Sequence, residues 1–544
     1  MLRRLLQEEL AAAWRAAGLD GDGAWIEVTR SERPEFGDFT SNVALAGAKR
    51  VGESPRALAE QLAPLVSEAH VERVEIAGPG FLNLFLRPGA VHRALREMLD
   101  AGDRFARSTE AVGTRLQLEY VSSNPTGPLT VGHGRQGVLG DVLASLYEAL
   151  GFDVEREYYY NDAGRQVDLL AESLWARYRQ VLGEEASIPD EGYQGEYLIS
   201  MAESIAEELG DRFPEFDDEA RRTMGAAAVE RMTESIRGDL DRLGLRYDHW
   251  FSETTLHASG EVDAALASLT ECGGTYEKDG AVWLAAEERG GDRDAVLIRS
   301  DGRPTYLMVD IAYHLNKHRR GFDRVIDVQG ADHHAEQNAM RIALAYLGIP
   351  EGFLDYALHQ FVSLKSSGEA LRMSTRKGRF VTLGSLLDEL GRDIVRYFMV
   401  ARKPSNHLEF DLDLARSESL DNPATYIQYA HTRIASILRN APADALPEAS
   451  TPLDVLAEAE ELELIKDLDG LPDVIHEAAT SFSPHLIAEY ALNVSRRFHA
   501  YYTEHRVLGD DAALTAARLA LVLMVQRAIR CCLDLLGMSA PETM

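Results

Sequence analysis

The segment "NPTGPLTVGHGRQGVLGD", residues 124–141, has two prolines and five glycines in eighteen positions. It follows the strand-like stretch "RLQLEYVSS" (115–123) and precedes apolar residues at helical spacing from Val138 to Leu150. A glycine-rich turn from a strand to a helix exposes backbone N–H groups at the helix N-terminus, where phosphate is favoured. The segment therefore predicts an anion-binding loop, with His133 in the first turn of the helix.

The flanking sequence alternates between strand-like and helix-like stretches. "DVEREYYYND" (153–162) and "RVIDVQG" (324–330) are strand-like, and helix-like stretches begin near Ala163, Tyr306 and His333. Such alternation with short connections predicts a parallel α/β sheet. Ligands bind outside the carboxyl ends of the strands in these sheets, so the glycine-rich loop lies where a substrate would bind.

The chain has 544 residues, which is too long for a single core. We predict a multidomain α/β protein, with an α+β unit at residues 1–108, a Rossmann-type parallel-sheet domain at 109–415 and an all-α unit at 416–544. Residues from about 185 to 300 mix helical and hairpin-like patterns. We expect them to form an insertion between two halves of the sheet.

Composition argues against several classes of protein. The net charge of −32 is unlike that of a general nucleic-acid coat protein, although basic stretches occur at 314–324, 372–379 and 496–506. The apolar stretch 519–537 contains Gln526, Arg527 and Arg530, so it predicts a buried helix instead of a membrane span. The three cysteines fit neither a disulfide framework nor paired zinc ligands. We expect a cytoplasmic protein with no membrane partner.

A second segment far along the chain points to the same chemistry as the glycine-rich loop. "SSGEALRMSTRKGRF" (366–380) is a glycine-bounded loop that carries Arg372, Arg376 and Lys377. Alone, it is typical of a solvated surface loop. A basic loop that closes over a polyphosphate would stabilise the charge that develops on leaving pyrophosphate. Together with His133, it predicts a nucleotidyl-transfer site.

These segments match a known family. "PLTVGHGR" resembles the HIGH signature, and "RMSTRKG" the KMSK signature, of class I aminoacyl-tRNA synthetases. "REYYYNDAGRQ", "RPTYLMVDIAYHLNK", "GADHHAEQ" and "HLEFDLDLARSESLDNPATYIQYAHTRI" narrow the resemblance to arginyl-tRNA synthetases. "RPEFGDFTSNVA" and "GPGFLNLFL" are similar to that family's N-terminal tRNA-contacting domain, so the resemblance covers nearly the whole chain.

The resemblance implies a reaction and its partners. Arginine and ATP, the latter with Mg²⁺, would form arginyl-adenylate and pyrophosphate, and the arginyl group would then pass to tRNA(Arg). The implied architecture is a class I catalytic domain with an all-α anticodon-binding domain. Neither a bound prosthetic group nor a structural zinc is implied, and we expect a monomer.

The resemblance also assigns site residues. Those implied in catalysis are His133, Thr130, Arg376 and Lys377. Those implied in ATP binding are Gly132, His133, Gly330, Asp332, His333, Met373 and Ser374. Those implied in arginine binding are Glu119, Ser122, Asn124, Tyr306 and Asp310, with Tyr159, Asn161 and Asp162 as further candidates near the pocket or the tRNA end. Tyrosines that could stack on tRNA bases are Tyr426, Tyr429, Tyr501 and Tyr502. No protein metal ligand is implied.

Two positions depart from the family signatures. Thr130 stands where the first histidine of HIGH is usual, and Thr375 stands where the last lysine of KMSK is usual. The first departure is the only support for one alternative, a catalytically impaired, synthetase-like paralogue that binds tRNA. A cysteine-specific synthetase would need a set of zinc ligands. A simple nucleotidyltransferase would not need a helical anticodon domain.

Overall fold

In the computed structural model, residues 1–21, 23–31, 33–331, 334–370 and 381–544 are described. Six residues assigned above to ATP binding or catalysis lie outside the described residues: Asp332, His333, Met373, Ser374, Arg376 and Lys377. Two of the four gaps, 332–333 and 371–380, contain these residues, and the chain on both sides of each is described, so the structure still shows which elements they connect.

The N-terminal unit is a mixed α/β layer. Its elements are α1 (Leu2–Ala16), β1 (Val28–Arg30), β2 (Phe39–Ser41), α2 (Val43–Val51), α3 (Pro55–Leu62), β3 (Val71–Ala77), β4 (Phe81–Leu86) and α4 (Pro88–Ala101). The strands form an antiparallel sheet in the order β1-β2-β4-β3. Leu2, Leu6, Leu10 and Trp14 recur every fourth residue of α1 and are buried, because an amphipathic helix turns that face to the core.

The middle of the chain contains the central sheet and the helices around it. Its elements are β5 (Arg115–Glu119), α5 (Val131–Ala149), β6 (Asp153–Tyr160), α6 (Arg165–Val181), α7 (Tyr197–Leu209), α8 (Asp218–Leu243), β7 (His249–Ser252), α9 (Glu253–Ala258), α10 (Glu261–Glu271), β8 (Thr275–Lys278), β9 (Ala281–Leu284), β10 (Ala295–Ile298), α11 (Tyr306–Arg319), β11 (Arg324–Gly330), α12 (His334–Tyr346), β12 (Leu354–His359), β13 (Val362–Ser366), β14 (Glu369–Ala370), α13 (Leu383–Leu390), α14 (Arg392–Val400), β15 (Leu408–Asp411) and α15 (Leu412–Arg416).

The central sheet is parallel, as the alternating pattern predicts. Its strand order is β12-β11-β5-β6-β7, and each neighbouring pair runs in the same direction. β5 lies in the middle, where Leu116 and Leu118 are fully buried. The glycine-rich loop follows β5 directly, so it begins at the carboxyl edge of the most central strand.

The expected insertion at 185–300 is not a single block. β7 lies inside that range and pairs with β6 at the edge of the central sheet. Before it, α6, α7 and α8 share a small core of their own, and after it β8, β9 and β10 form a separate antiparallel sheet. β7 is only four residues long, and such a short edge strand has no apolar run that the sequence pattern could reveal.

The C-terminal unit is helical, as predicted. Its helices are α16 (Pro423–Arg439), α17 (Ala459–Asp469), α18 (Leu471–Thr480), α19 (His485–Glu504) and α20 (Ala512–Leu535). α20 is long and apolar enough to cross a membrane by composition. In the structure, however, residues such as Leu521, Val525 and Ile529 are fully buried in the common core, where α20 packs against α16 and α19.

Candidate active site

The backbone turns sharply where β5 meets the glycine-rich loop. Val121 and Ser122 have φ values of 69° and 41°, in the left-handed region that non-glycine residues avoid. Such conformations cost about 1–3 kcal/mol each and tend to occur at functional sites. The turn directs Oγ of Ser122 back to the strands, where it donates to Glu119 at 2.8 Å and accepts from the backbone N–H of Tyr159 at 3.2 Å.

Most of the helix glycines allow close packing, whereas Gly132 borders open space. A Cβ atom on Gly140 would lie 2.3 Å from the ring of Tyr120, and one on Gly137 would lie 2.5 Å from Leu245. Beside Gly132, the nearest side-chain atom is Oγ1 of Thr130, 3.6 Å from where a Cβ would stand. Gly132 therefore has room beside it at the start of α5.

His133 lies in the first turn of α5 and is held by Thr130, the N-cap residue of that helix. The backbone N–H of Thr130 donates to Nδ1 of His133 at 3.1 Å. Burial, together with the nearby His359, lowers the pKa of His133 to about 4. At neutral pH the ring is therefore uncharged and carries its proton on Nε2, which is the nitrogen left to donate to a ligand.

Arg135 is close in sequence to His133 but does not belong to the site. Its guanidinium is fully buried and donates to the backbone carbonyls of Gln360 and Asn406 at 2.6 and 3.1 Å. These bonds fix α5 to the loops that flank β13 and β15. The arginine of the loop is thus structural, and a phosphate would meet backbone N–H groups and His133 instead.

The residues that follow the second predicted segment in sequence lie beside the glycine-rich loop. Thr130 pairs with Thr382 in an isolated antiparallel bridge, and the N–H of Leu383 donates to the carbonyl of Leu129 at 2.8 Å. The basic segment around residues 372–379 ends just before Thr382. The chain therefore enters α13 directly beside the N-terminus of α5, although these segments are some 250 residues apart in sequence.

The other predicted ATP contact in the described chain is Gly330, the last residue of β11. It pairs in register with His359 at the end of β12. Gln136 of α5 donates to the carbonyl of Val328 at 2.5 Å, which holds α5 against β11. Gly330 therefore lies at the carboxyl edge of β11, the strand next to β5. His133 follows β5 at the same edge of the sheet.

The residues predicted to bind arginine lie on several elements: Glu119, Ser122 and Asn124 at or after the end of β5, and Tyr306 and Asp310 in α11. Asn124 donates from Nδ2 to Gln166 at 2.8 Å and accepts from the N–H of Asn161 at 3.1 Å. Tyr306 begins α11 and is 69% exposed, and the Asp310 side chain, one turn later, is 45% exposed. The Asp310 carboxylate lies close enough to Tyr159 to help raise the pKa of that tyrosine, although burial is the main cause.

Glu119, another predicted arginine ligand, already has strong partners. Its Oε2 atom is 2.6 Å from Nζ of the fully buried Lys317, and its Oε1 atom accepts from Ser122. Burial raises the pKa of Glu119, and the lysine opposes that rise. Lys317 also lies 3.1 Å from Asp327 of β11. The sequence analysis did not identify Lys317 or Asp327. The only signal in the sequence is one acidic residue near the end of each of two predicted strands.

The further candidates in "YYYND" have structural partners. Oη of Tyr159 donates to Glu253 at 2.5 Å, and Nδ2 of Asn161 donates to the other oxygen of Glu253 at 2.7 Å. Asp162 accepts from Oγ of Ser252 at 2.6 Å and from Thr254. These bonds tie the end of β6 to the start of α9, so the three residues support the wall of the pocket.

A cavity of about 370 Å³ opens beside His133. One wall is the glycine-rich loop, and the opposite wall is residues 191–197 between α6 and α7, which the sequence reasoning did not single out. Oη of Tyr197 donates to the carbonyl of Thr126 at 2.8 Å and holds the two walls together. A larger cavity of about 770 Å³ lies between the N-terminal sheet and α17–α19, away from this edge and lined by paired charges such as Arg497 and Asp467.

The C-terminal helices present an aromatic surface. His499 of α19 packs against Tyr426 and Tyr429 of α16, with ring centroids 5.0 and 5.7 Å apart. Arg433 lies over the rings of Tyr429 and Tyr502, at 5.7 and 4.8 Å. These side chains are half-buried, whereas Tyr501, another predicted stacking residue, is 1% exposed and belongs to the core. We call Tyr426, Tyr429, Arg433, His499 and Tyr502 the aromatic patch.

Comparison with known proteins covers the same three parts of the chain. Residues 2–86 match the family model described as arginyl tRNA synthetase N terminal domain. Residues 96–409 match tRNA synthetases class I (R), catalytic domain, and residues 427–544 match DALR anticodon binding domain. The first and third matches fall within the N-terminal and C-terminal units, and the catalytic-domain match begins inside α4 at residue 96 and continues through the central sheet.

Individual relatives match over their full length. The arginine–tRNA ligase of Thermotoga maritima is 42% identical over 100% of this chain and 99% of its own. That of Moorella thermoacetica is 44% identical over 98% of this chain and 97% of its own. Among solved structures, Thermus thermophilus arginyl-tRNA synthetase superposes with a TM-score of 0.79 over the whole of both chains, at 25% identity.

Proposed function

The chain belongs to the arginyl-tRNA synthetase family of class I aminoacyl-tRNA synthetases, which attach L-arginine to tRNA(Arg) with ATP, and we propose that the reaction takes place at the carboxyl edge of β5 and β11. The observation that carries this assignment is the pairing of Thr130 with Thr382. It brings Thr382, which follows the basic segment 372–379 in sequence, beside the helix N-terminus that bears His133. We propose that phosphate binds at this helix N-terminus.

In the first half-reaction, a carboxylate oxygen of arginine attacks the α-phosphorus of ATP. The bond from that phosphorus to the bridging oxygen breaks, and pyrophosphate leaves with the bonding electrons. Nε2–H of His133 would donate to a phosphate oxygen as charge moves outward, assisted by the N–H groups at the start of α5. Such catalysis is mainly positioning and charge stabilisation, so no protein nucleophile is required.

In the second half-reaction, a ribose hydroxyl of the terminal adenosine of tRNA attacks the carbonyl carbon of arginyl-adenylate. AMP leaves, and the hydroxyl proton is lost as the ester forms. The 370 Å³ cavity between the glycine-rich loop and residues 191–197 is open to solvent beside His133. It offers the tRNA end a route to the adenylate.

We assign ATP to Gly132, His133 and Gly330, with Thr130 as the residue that orients His133. Asp332, His333, Met373, Ser374, Arg376 and Lys377 remain proposed contacts from the family signatures. Mg²⁺ would enter bound to the phosphates of ATP. Among the described residues, no group of three or more His, Cys, Asp or Glu side chains could hold a metal ion.

We assign the arginine side chain to Asp310 and Tyr306, and its α-amino and carboxylate end to Asn124 and the region of Ser122. Asp310 is half-exposed on α11, facing Tyr159 across the edge of the sheet. A guanidinium is planar and prefers carboxylate partners that accept from its two parallel N–H donors. Glu119 would form the floor of the pocket, oriented by Ser122 and Lys317.

The remaining proposals concern the domain boundaries, tRNA binding, cellular location and oligomeric state. We propose domain boundaries at 1–108, 109–415 and 416–544, with the aromatic patch as a surface for unpaired tRNA bases. We further propose a cytoplasmic monomer. In the described chain all three cysteines are free thiols, which suits a reducing compartment.

The proposed function is tested by ATP–pyrophosphate exchange, with and without arginine and with and without tRNA. We expect exchange that depends on arginine and that needs tRNA, as the family resemblance implies. Lysine in place of arginine should give none. Arginine-independent exchange would contradict the assignment, and no exchange under any condition would favour the impaired paralogue, which nothing in the comparisons supports.

A further inference from the structure

Three acidic side chains lie side by side in the central sheet. Asp327 of β11 is the register partner of Glu119 of β5, which is in turn the partner of Glu157 of β6. Register partners on neighbouring strands project from the same face of a sheet, and like charges placed opposite each other there are destabilising. A row of three buried carboxylates therefore needs a matching set of cations.

α11 supplies those cations from above the row. Nζ of Lys317 lies 2.6 Å from Glu119 and 3.1 Å from Asp327, and the side chain is 0% exposed. Arg320, one residue past the end of the helix, and the hydroxyl of Tyr313 both bond to Glu157. Lys317 therefore bridges Glu119 and Asp327. Within the described residues, no other Lys or Arg forms an ion pair with either carboxylate.

The same face of α11 leads from this interior to the proposed arginine pocket. Asp310, His314 and Lys317 follow one another at helical spacing, and side-chain exposure falls from 45% to 1% to 0% along them. Nε2 of His314 is 2.9 Å from Asp327, and its Nδ1 is 2.9 Å from the backbone carbonyl of Asp310. The pocket and the acidic row thus belong to one connected set of charges.

We propose that Lys317 is a specificity-determining residue: its ammonium offsets one of the two negative charges on Glu119 and Asp327, so that the pocket reads the planar guanidinium at Asp310 by shape. This proposal rests on the arginine pocket assigned above. Arginine and lysine carry the same charge, so a pocket with excess negative charge would attract both. With this negative charge reduced, binding depends more on the fork of donors that only arginine has.

The test compares lysine and arginine in one assay. For each variant, ATP–pyrophosphate exchange with saturating tRNA gives the KM and kcat for arginine and the Ki of L-lysine as inhibitor. Lys317→Met keeps the length of the side chain and removes its charge. We expect the ratio of lysine Ki to arginine KM to fall about tenfold, because two uncompensated carboxylates now favour any cation.

Two further variants separate charge from structure. Lys317→Met/Asp327→Asn removes one cation and one anion, so it restores the total charge, and the ratio should return to within about threefold of the parent. Asp327→Asn alone removes one negative charge and keeps Lys317, so the cluster is less negative than in the parent and the ratio should rise. A purely structural lysine would change thermal stability in all three variants and leave the ratio constant.

The outcomes discriminate between the proposals. An unchanged ratio in folded Lys317→Met, or in Asp327→Asn if Lys317→Met does not fold, overturns the role of Lys317. Asp310→Asn in the same assay reports on the pocket itself. If Asp310→Asn leaves the arginine KM unchanged, the pocket is wrongly placed; if it raises that KM while the Lys317 variants keep the parent's ratio, only the role of Lys317 fails.

Discussion

The backbone N–H of Thr130 donates to Nδ1 of His133 over 3.1 Å, and this bond determines which ring nitrogen faces the site. An acceptor at Nδ1 places the proton of the neutral ring on Nε2. Thr130 thus acts through its backbone, as the N-cap residue of α5. This explains how a threonine can stand at the first position of the HIGH-like signature: the geometry needs its amide and not a positively charged side chain.

The first prediction follows from the donor at Nε2. His133→Ala should lower kcat for arginine-dependent pyrophosphate exchange by about 100- to 1000-fold, the usual cost of removing one donor to a developing oxyanion. His133→Gln should lose less, because its amide can still donate. Thr130→Ala should lose little, since the backbone N–H remains. His476→Ala, an exposed histidine of α18, is the matched control. Parent-like exchange by His133→Ala would show that the site is elsewhere.

The second prediction concerns the effect of pH on stability. The pKa of His133 is lowered by burial to about 4 in the folded state, against about 6.5 when unfolded. Between these values the unfolded chain binds more protons, so the free energy of unfolding falls as pH falls from 6.5 towards 4. His133→Gln removes that contribution. From pH 7 to pH 5 the variant should therefore lose less stability than the parent.

Urea unfolding of both proteins at the two pH values measures this difference. His499, whose pKa is also lowered to about 4 by burial and by Arg433, is present in both proteins, so its contribution cancels. Equal losses in the parent and in His133→Gln would show that His133 is not held neutral in the folded protein.

Sequence patterns alone predict the main elements and their order in this molecule, but not a short edge strand or several of the buried contacts. The parallel sheet, the loop after β5 and the helical C-terminal unit follow from periodicity and from glycine and proline positions. β7 does not, because four residues at a sheet edge have no pattern that differs from a loop. Gly137 and Gly140 belong to the glycine-rich segment, yet in the structure they allow Leu245 and Tyr120 to pack against α5.

Lys317 is a second feature that the sequence does not predict. In sequence it lies in the basic stretch 314–324, which is typical of a solvated helix face, but its side chain is fully buried between two strands. Its partners Glu119 and Asp327 are opposite each other only because β5 and β11 pair in one particular register. Register between distant parallel strands depends on the whole fold, so no local pattern predicts this cluster.

The third prediction concerns tRNA binding. The chain has a net charge of −32, so any tRNA surface must be locally basic. Each phosphate that is neutralised adds to the dependence of affinity on salt. We expect the dissociation constant for tRNA(Arg) to rise by at least about tenfold between 50 and 200 mM salt, which corresponds to two or more phosphate contacts. Filter binding or fluorescence titration measures it, and a constant affinity over that range would exclude an electrostatic surface.

The last prediction separates the amino-acid pocket from the nucleotide site. Asp310 lies in α11 and is proposed to bind arginine, whereas Gly132 and His133 lie in the first turn of α5 and are proposed to bind ATP. Asp310→Asn keeps the shape of the side chain but replaces one acceptor oxygen with a donor that faces the guanidinium. An unmatched polar group in a bound complex costs about 1–3 kcal/mol, and more when charged. Asp310→Asn should therefore raise the arginine KM by about tenfold or more and leave the ATP KM nearly unchanged.

Tyr306→Phe is the milder companion to this change. It removes one hydroxyl and keeps the ring, so the arginine KM should rise by only about three- to tenfold, the value of a single hydrogen bond. Tyr276→Phe is the matched control, because Tyr276 is an exposed tyrosine of β8 that bonds to Asp294. Steady-state kinetics with arginine and ATP varied separately test all three variants. A rise confined to the ATP KM would place Asp310 at the nucleotide. The residue that binds the guanidinium would then have to lie elsewhere in the chain.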